Sequence, residues 1–385
     1  MVWCRVALLD GSTFELKGID KNSNGHLVFD EVTKYINLIE TDYFGLTFRD
    51  ETNRNFWLNN TKKISKQVKG GAWLFEFHVK FYPPDPITLK ENITRYQLSL
   101  QVRKDLYNGR LLCSFATYAL LGSYTVQAEL GDWDQKKFGD SVEYIHDFNF
   151  APGQNIDLLK KIVELHKTHR GQTPAVADAN FLKNAKTVNM YGEDMHDVKD
   201  AEDKKLSLGI CANGVSVYQD RVRISRFVWS KILKIEFVRD LLKIKIINRE
   251  QHEITIGFRC HTYKLAKSLW KSCVEHHAFF RLETAFPKSS STFSSRFLYS
   301  GRTAVEARKA AEMIKREEPH IVRTAERRSF GNKHKGIADN AILEGDRNTE
   351  EIYSKVQKRP TCENASDKLD HQGAEVITTY KACVG

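Results

Sequence analysis

Asp20-Lys21-Asn22-Ser23-Asn24-Gly25, followed by Asp30 and Glu31, satisfies the calcium-loop template D-x-[DN]-x-[DN]-G-x5-E in full. An EF-hand also needs an entering helix, and Thr13-Phe14-Glu15-Leu16 alternates polar with apolar as a strand does. No second loop pairs with this one, so the segment is read as a polar turn from strand to helix, with no metal. None of the seven cysteines is followed six positions later by the arginine that a phosphatase nucleophile needs to hold phosphate oxygens. G-x-S-x-G, H-E-x-x-H and the P-loop are all missing. His276-His277 is no metal pair, because neighbours on a helix point apart; one is expected buried and the other exposed. The reading is therefore of a chain with no catalytic residue, no cofactor and no enzymatic role.

Charge and apolar pattern remain. The net charge is +10, and the surplus is local: residues 220–271 hold 13 Lys and Arg against 5 Asp and Glu, and residues 288–335 hold 12 against 5. Such clusters favour an anionic surface. Nucleic acid is not the expected one, since no recognition helix, zinc finger or RNA-binding aromatic motif accompanies the basic residues. The cysteines are odd in number and form no C-x-x-C pair, which points to reduced thiols in a cytosolic setting. No run approaches the roughly 20 apolar residues that cross a bilayer, and the first residues lack a signal peptide's apolar core. The sequons at Asn92 and Asn364 carry meaning only in a secreted chain and are read as incidental.

Three segments with different periods would have to position these charges. In residues 1–87, Trp73, Phe75, Phe77, Val79 and Phe81 alternate with Leu74, Glu76, His78 and Lys80, as a half-buried strand requires, and prolines at 83, 84 and 86 stop it. Phe29, Val32, Ile36 and Ile39 recur at helical spacing between strand-like runs at 2–8 and 43–48. From 88 to 187 the period is helical, with apolar runs ending at Gly109, Gly122, Gly131 and Gly171, and Thr173-Pro174 opening the last helix. Residues 188–286 return to strands at 206–211, 214–218, 222–229, 232–238, 241–248 and 253–258, with a turn at Asn213-Gly214 and an amphipathic helix over 261–281. Beyond 286 the composition turns basic and has too little apolar content for its own core; 331–385 reads as disordered.

Three blocks then stand in one order: Trp57-Leu58 leading to Phe81-Tyr82-Pro83-Pro84-Asp85; Cys113-Ser114-Phe115-Ala116-Thr117-Tyr118-Ala119-Leu120-Leu121-Gly122-Ser123-Tyr124; and Trp270 through Leu282. Together they resemble the FERM module of the protein 4.1 family, over roughly residues 1–330. The resemblance implies an α+β cloverleaf with a ubiquitin-like lobe at 1–87, an all-helical lobe like acyl-CoA-binding protein at 88–187, and a PH/PTB-like β-sandwich lobe at 188–286. Residues 287–330 are similar to the FERM-adjacent region of such proteins. The spectrin–actin-binding and C-terminal segments of long protein 4.1 forms are not recognised here, so direct spectrin–actin crosslinking is not expected.

By the same resemblance the chain would be a non-enzymatic membrane–cytoskeleton adaptor, peripheral at the inner face of the plasma membrane, at the cell cortex or junctions. Its expected partners are cytoplasmic tails of transmembrane proteins, acidic phospholipids, membrane-associated scaffold proteins and calmodulin. The alternative is a regulatory FERM module of a signalling enzyme whose catalytic part lies elsewhere. The phosphoinositide cleft of such modules maps to Lys62, Lys63 and Lys66 facing Lys264 and Lys267. The peptide groove, where an extended tail adds a strand beside the last helix, maps to Ile244, Lys245, Ile246, Ile247 and Tyr263. The calmodulin-binding stretch maps to Lys183, Lys186, Met190 and Tyr191, with Asn189 where a serine is usual and Thr187 in place of a lysine. Ser329, after Arg327-Arg328, is the expected phosphorylation site.

Overall fold

The computed structural model describes residues 2–69, 72–248, 251–284 and 299–325. They form two compact units, one from residues up to 90 together with 192–317, the other from 91–191 together with 318–325.

The first unit begins with β1 (Val2–Ala7), β2 (Thr13–Ile19), α1 (Gly25–Tyr35), β3 (Phe44–Arg49), β4 (Asn55–Trp57) and β5 (Ala72–Val79). The sheet order is β2-β1-β5-β3-β4, with β1 and β5 parallel at its centre. Parallel strands are buried on both faces or covered by helix, and α1 supplies the cover with Val28, Phe29 and Val32, all buried like Phe75 and Phe77 beneath them. The expected strand alternation holds: Trp73, Phe75, Phe77 and Val79 are buried, whereas Leu74 is 58% exposed. The helix is shorter than its apolar spacing suggests. It stops at Tyr35, because Asn37 takes φ 57° and turns the chain away, leaving Ile39 exposed and Leu38 in the core.

The second unit contains α2 (Asn92–Tyr107), α3 (Phe115–Leu130), α4 (Gln135–Phe138), α5 (Ile156–His166) and α6 (Pro174–Ala185). The cap expected at Thr173 is present, accepting from the Val176 N–H with Pro174 in the first turn; Ser114 accepts from the Thr117 N–H and Asn155 from the Leu158 N–H in the same way. Gly131 closes α3 at φ 76°. Gly122 does not end a helix, contrary to expectation. It lies within α3, where a Cβ would come 2.6 Å from Ile162 Cδ1 of α5, so this glycine serves close helix approach.

The chain then adds to the first unit β6 (Asp194–Lys199), β7 (Lys205–Cys211), β8 (Gly214–Gln219), β9 (Val222–Val228), β10 (Ile232–Val238), β11 (Leu241–Ile247), β12 (Glu253–Arg259), α7 (Tyr263–Arg281) and α8 (Ala304–Glu312). The seven strands run β10-β11-β12-β6-β7-β8-β9. β12 meets β6 at the single pair Arg259–Lys199, so the sheet divides there into two antiparallel halves that sandwich one core. Into this core α7 inserts Leu269, Trp270 and Cys273, and the Trp270 indole N–H donates to the Ile235 carbonyl at 3.1 Å. β6 has only Val198 buried, which is why apolar pattern did not reveal it. Its polar residues face α7 instead: Ser272 Oγ donates to Asp194 Oδ2 at 2.6 Å, and His196 Nε2 lies 3.1 Å from the same oxygen. Burial opposes the Asp194 charge, but His196 and Ser272 outweigh it and hold the carboxyl well below its usual range.

Phe81, beyond the end of β5, stacks on Phe279 of α7 at 4.3 Å, and Tyr43 meets Phe279 edge-on at 5.5 Å. These rings join the two sheets of the first unit. The basic stretch after α7 has no core of its own, as expected, yet it is not a solvated tail. Thr303 and Glu306 form a capping box that starts α8, and the Thr303 hydroxyl donates to the Glu283 carbonyl. Arg302 pairs with Asp42 at 2.9 Å and Arg316 Nη2 donates to the Asn37 carbonyl at 2.8 Å.

Candidate functional site

Lys267 and Lys271 of α7 face the β4–β5 connection of the first sheet across a cavity of about 730 Å³. Lys62, Lys63 and Lys66 line one wall, Lys267 and Lys271 the other, with the rings of Trp57 and Trp270 between. The connection is held in place by its own bonds. Gln67 Nε2 donates to the Asn59 carbonyl at 2.8 Å, and the Lys63 ammonium donates to Asn22 Oδ1 at 3.1 Å. Asn22 belongs to the calcium-loop template, which occupies the turn from β2 to α1; Asp20 Oδ1 there accepts the Asn22 N–H.

Lys271 also borders a neighbouring cavity, where Glu275 receives two cations, Lys80 at 3.0 Å and Lys271 at 3.6 Å. One carboxylate between two ammonium groups leaves a net charge of +1. Burial opposes the Glu275 charge, yet Lys80 and Lys271 prevail and its pKa is lowered. Lys271 moves down as well: burial is the main cause, and repulsion from Lys80 and Lys62 adds to it against the pull of Glu275. Lys62 and Lys271 line opposite walls of the one cavity. The surplus positive field of the basin suits an anion.

Four of the five lysines expected at this cleft thus line it, namely Lys62, Lys63, Lys66 and Lys267. Lys264 does not. One turn earlier on α7, it reaches the β3–β4 hairpin, where its ammonium bonds Asp50 at 2.7 Å and lies 4.0 Å from the Phe56 ring centre. Burial raises the Asp50 pKa, but bonds from Lys264 and Thr52 hold it far below the ordinary carboxylate range. Lys271 was missed, although its i,i+4 spacing from Lys267 on one helix was a usable signal.

The peptide-groove residues need correction. Strand β11, which carries Ile244, Lys245, Ile246 and Ile247, is paired on both sides, with β10 and with β12. Ile244 and Ile246 are buried in the sandwich core, so no incoming strand can add there. The edge of this half-sheet is β10. Tyr263 does stand beside it, 56% exposed, its ring 5.7 Å from Phe237 of β10. The calmodulin stretch forms no continuous helix: α6 ends at Ala185, Phe181, Leu182 and Ala185 face the unit's own core, and Met190 has φ 66°. Lys183 and Lys186 therefore lie around a helix end, with Met190 and Tyr191 beyond it. His276 is buried as expected, but His277 is half-buried against Trp229 rather than exposed. Ser329 lies outside the described residues. Among those residues no cluster of three His, Cys, Asp or Glu side chains is placed to hold a metal, and no helix is long and apolar enough to cross a membrane.

Comparison with known proteins agrees with this architecture. The FERM N-terminal domain family matches residues 6–70, the FERM central domain 84–196, the FERM C-terminal PH-like domain 200–288, and the FERM adjacent region 291–331. Band 4.1-like protein 3 of Homo sapiens is 52% identical over 329 residues, and Protein 4.1 of Homo sapiens 49% over 331. The chain belongs to the protein 4.1 family of FERM proteins. Those alignments cover 84% and 85% of the chain but 30% and 38% of the relatives, so this FERM protein spans about a third of their length. In fold it is similar to the FERM and C-terminal domain complex of Drosophila Merlin, at TM-score 0.66 and 22% identity, covering 73% of this chain and 96% of that one. It is also similar to the Dictyostelium discoideum Myosin VII MyTH4-FERM MF2 domain, at TM-score 0.57 and 18% identity, covering 72% of this chain and 60% of that one.

Proposed function

We propose that this FERM protein is a non-enzymatic adaptor that joins the cytoplasmic tails of transmembrane proteins and acidic phospholipids to the cell cortex, and that the lysine basin is its phosphoinositide site. The observation that carries the lipid reading is the convergence of Lys62, Lys63, Lys66, Lys267 and Lys271 on one open cavity. Flexible ammonium groups surround a polyphosphate as point charges, and each contributes about 1 kcal/mol near an anionic surface. Trp57 and Trp270 give the basin apolar walls, against which an inositol ring can lie.

Vesicle sedimentation tests the assignment, with phosphatidylinositol bisphosphate compared against phosphatidylserine at equal total charge. Lys62→Ala with Lys267→Ala should weaken binding to the bisphosphate vesicles by roughly 30-fold, at about 1 kcal/mol for each lysine. Lys264→Ala should change it little, because that ammonium is engaged by Asp50. Equal binding of wild type and the double variant would remove the site. A preference no greater than for phosphatidylserine would reduce the basin to a general anionic contact.

The edge strand β10 supports the second half of the reading. Its outer backbone is open for an extended tail peptide to add as a further strand, flanked by the Tyr263 end of α7. Amide-shift mapping with a bound tail peptide should place the largest changes on Ile232–Val238 rather than on Leu241–Ile247.

A further inference from the structure

The helical unit carries a constellation that neither the basin nor the β10 edge uses. Arg103 of α2 reaches Glu129 of α3 with Nη1 at 2.6 Å and Asp178 of α6 with Nη2 at 3.0 Å. One guanidinium thus pins two carboxylates that are almost wholly buried, and the three groups together hold a charge of −1. The remaining charge is met from much later in the chain. Arg323, itself buried, places Nη2 2.7 Å from Asp178 Oδ2 and its guanidinium carbon 4.9 Å from the Tyr96 ring centre. The adjoining Thr324 hydroxyl donates to Glu129 Oε2 at 2.8 Å, the Thr324 N–H donates to the Tyr96 hydroxyl at 3.2 Å, and the Ala325 N–H donates to Glu129 Oε2 at 3.1 Å. Upstream, the Glu318 carboxylate accepts the N–H of Asn92 at the start of α2.

We infer that Tyr96, Arg103, Glu129 and Asp178 form a recognition cleft for an arginine–threonine peptide, and that residues 318–325 are its exchangeable intramolecular occupant. Two observations distinguish an exchangeable ligand from a fixed part of the core. The segment has no helix or strand from 314 to 323, and Val322 is 40% exposed, so its hold on the unit is concentrated in a few polar anchors. The receptor side is complete without its occupant, since Arg103 keeps both carboxylates in position after Arg323 leaves. An emptied cleft retains its acidic charge and its Tyr96 face, and so selects a planar guanidinium over an ammonium. A partner peptide bearing Arg-Thr would compete for it with the chain's own segment.

The test uses the full chain and a fluorescein-labelled peptide of residues 317–325, read by anisotropy. The wild type should bind weakly, because the tethered copy competes at high effective concentration. Arg323→Ala, which empties the cleft, should bind the peptide at least tenfold more tightly. The same variant should lose that affinity for a peptide with alanine at the arginine position, and bind a lysine version at an intermediate level. That comparison changes only the peptide and so does not depend on the folding of further protein variants. If Arg323→Ala binds no better than wild type, or binds the arginine and alanine peptides alike, Arg323 is structural only and the inference fails.

Discussion

Gly122 leaves no room for a side chain. A methyl group there would stand 2.6 Å from Ile162 Cδ1 and 3.2 Å from Phe150 Cδ1. Alanine is the better helix former by roughly 1 kcal/mol, but overpacking commonly costs about 1–3 kcal/mol. Gly122→Ala should therefore lower urea stability by about 1 kcal/mol, and adding Ile162→Val, which removes Cδ1, should recover part of it. His277 gives a second test at this scale. Burial pushes its pKa down to about 4, with Arg281 adding to the effect, against an unfolded value of about 6.5. The unfolded chain binds more protons between these values, so the contribution is complete above pH 6.5 and is lost as pH falls towards 4. His277→Gln should show a loss of stability from pH 7 to pH 5 smaller than that of wild type by about 1–2 kcal/mol. His166, His169 and His276 shift in the same direction but are common to both proteins, so the comparison isolates His277.

At the scale of elements, the helix after the third FERM lobe shows how a polar segment folds without a core of its own. Thr303 is fully buried and does two things: it caps α8 and anchors it to the Glu283 carbonyl. Loss of a threonine cap costs about 1–2 kcal/mol. Thr303→Ala should raise hydrogen exchange across 304–312 by roughly tenfold, while the amides of β1 and β5 keep their protection. The strands teach the complementary lesson. Alternation in β5 and the apolar runs of β10 to β12 were readable because each strand buries one face. β6 was not readable, because it answers Ser272 of α7 with Asp194 and His196 rather than with apolar side chains.

For the whole molecule, the net charge of +10 and its concentration in the later half predict salt-sensitive attachment to acidic membranes. Raising salt from 50 to 300 mM should weaken vesicle binding, and Lys62→Ala with Lys63→Ala should make that dependence shallower. An unchanged slope would mean that the basin lysines do not meet the lipid. The sequence by itself determined the mixed, helical and strand-rich character of the three segments and the cap at Thr173-Pro174, because periodicity and capping are local properties, while its resemblance to the FERM module implied the lobe types and the candidate lysines. Tertiary structure alone decided which lysines share a cavity. Lys264 and Lys267 are three residues apart, yet one meets Asp50, 214 residues away, and the other faces the basin. It also decided that β10 and not β11 is an edge, and that Arg323 neutralises Asp178, 145 residues distant. Charge pairs and strand neighbours are chosen across such separations by register and packing, and neither leaves a mark in the local pattern of residues.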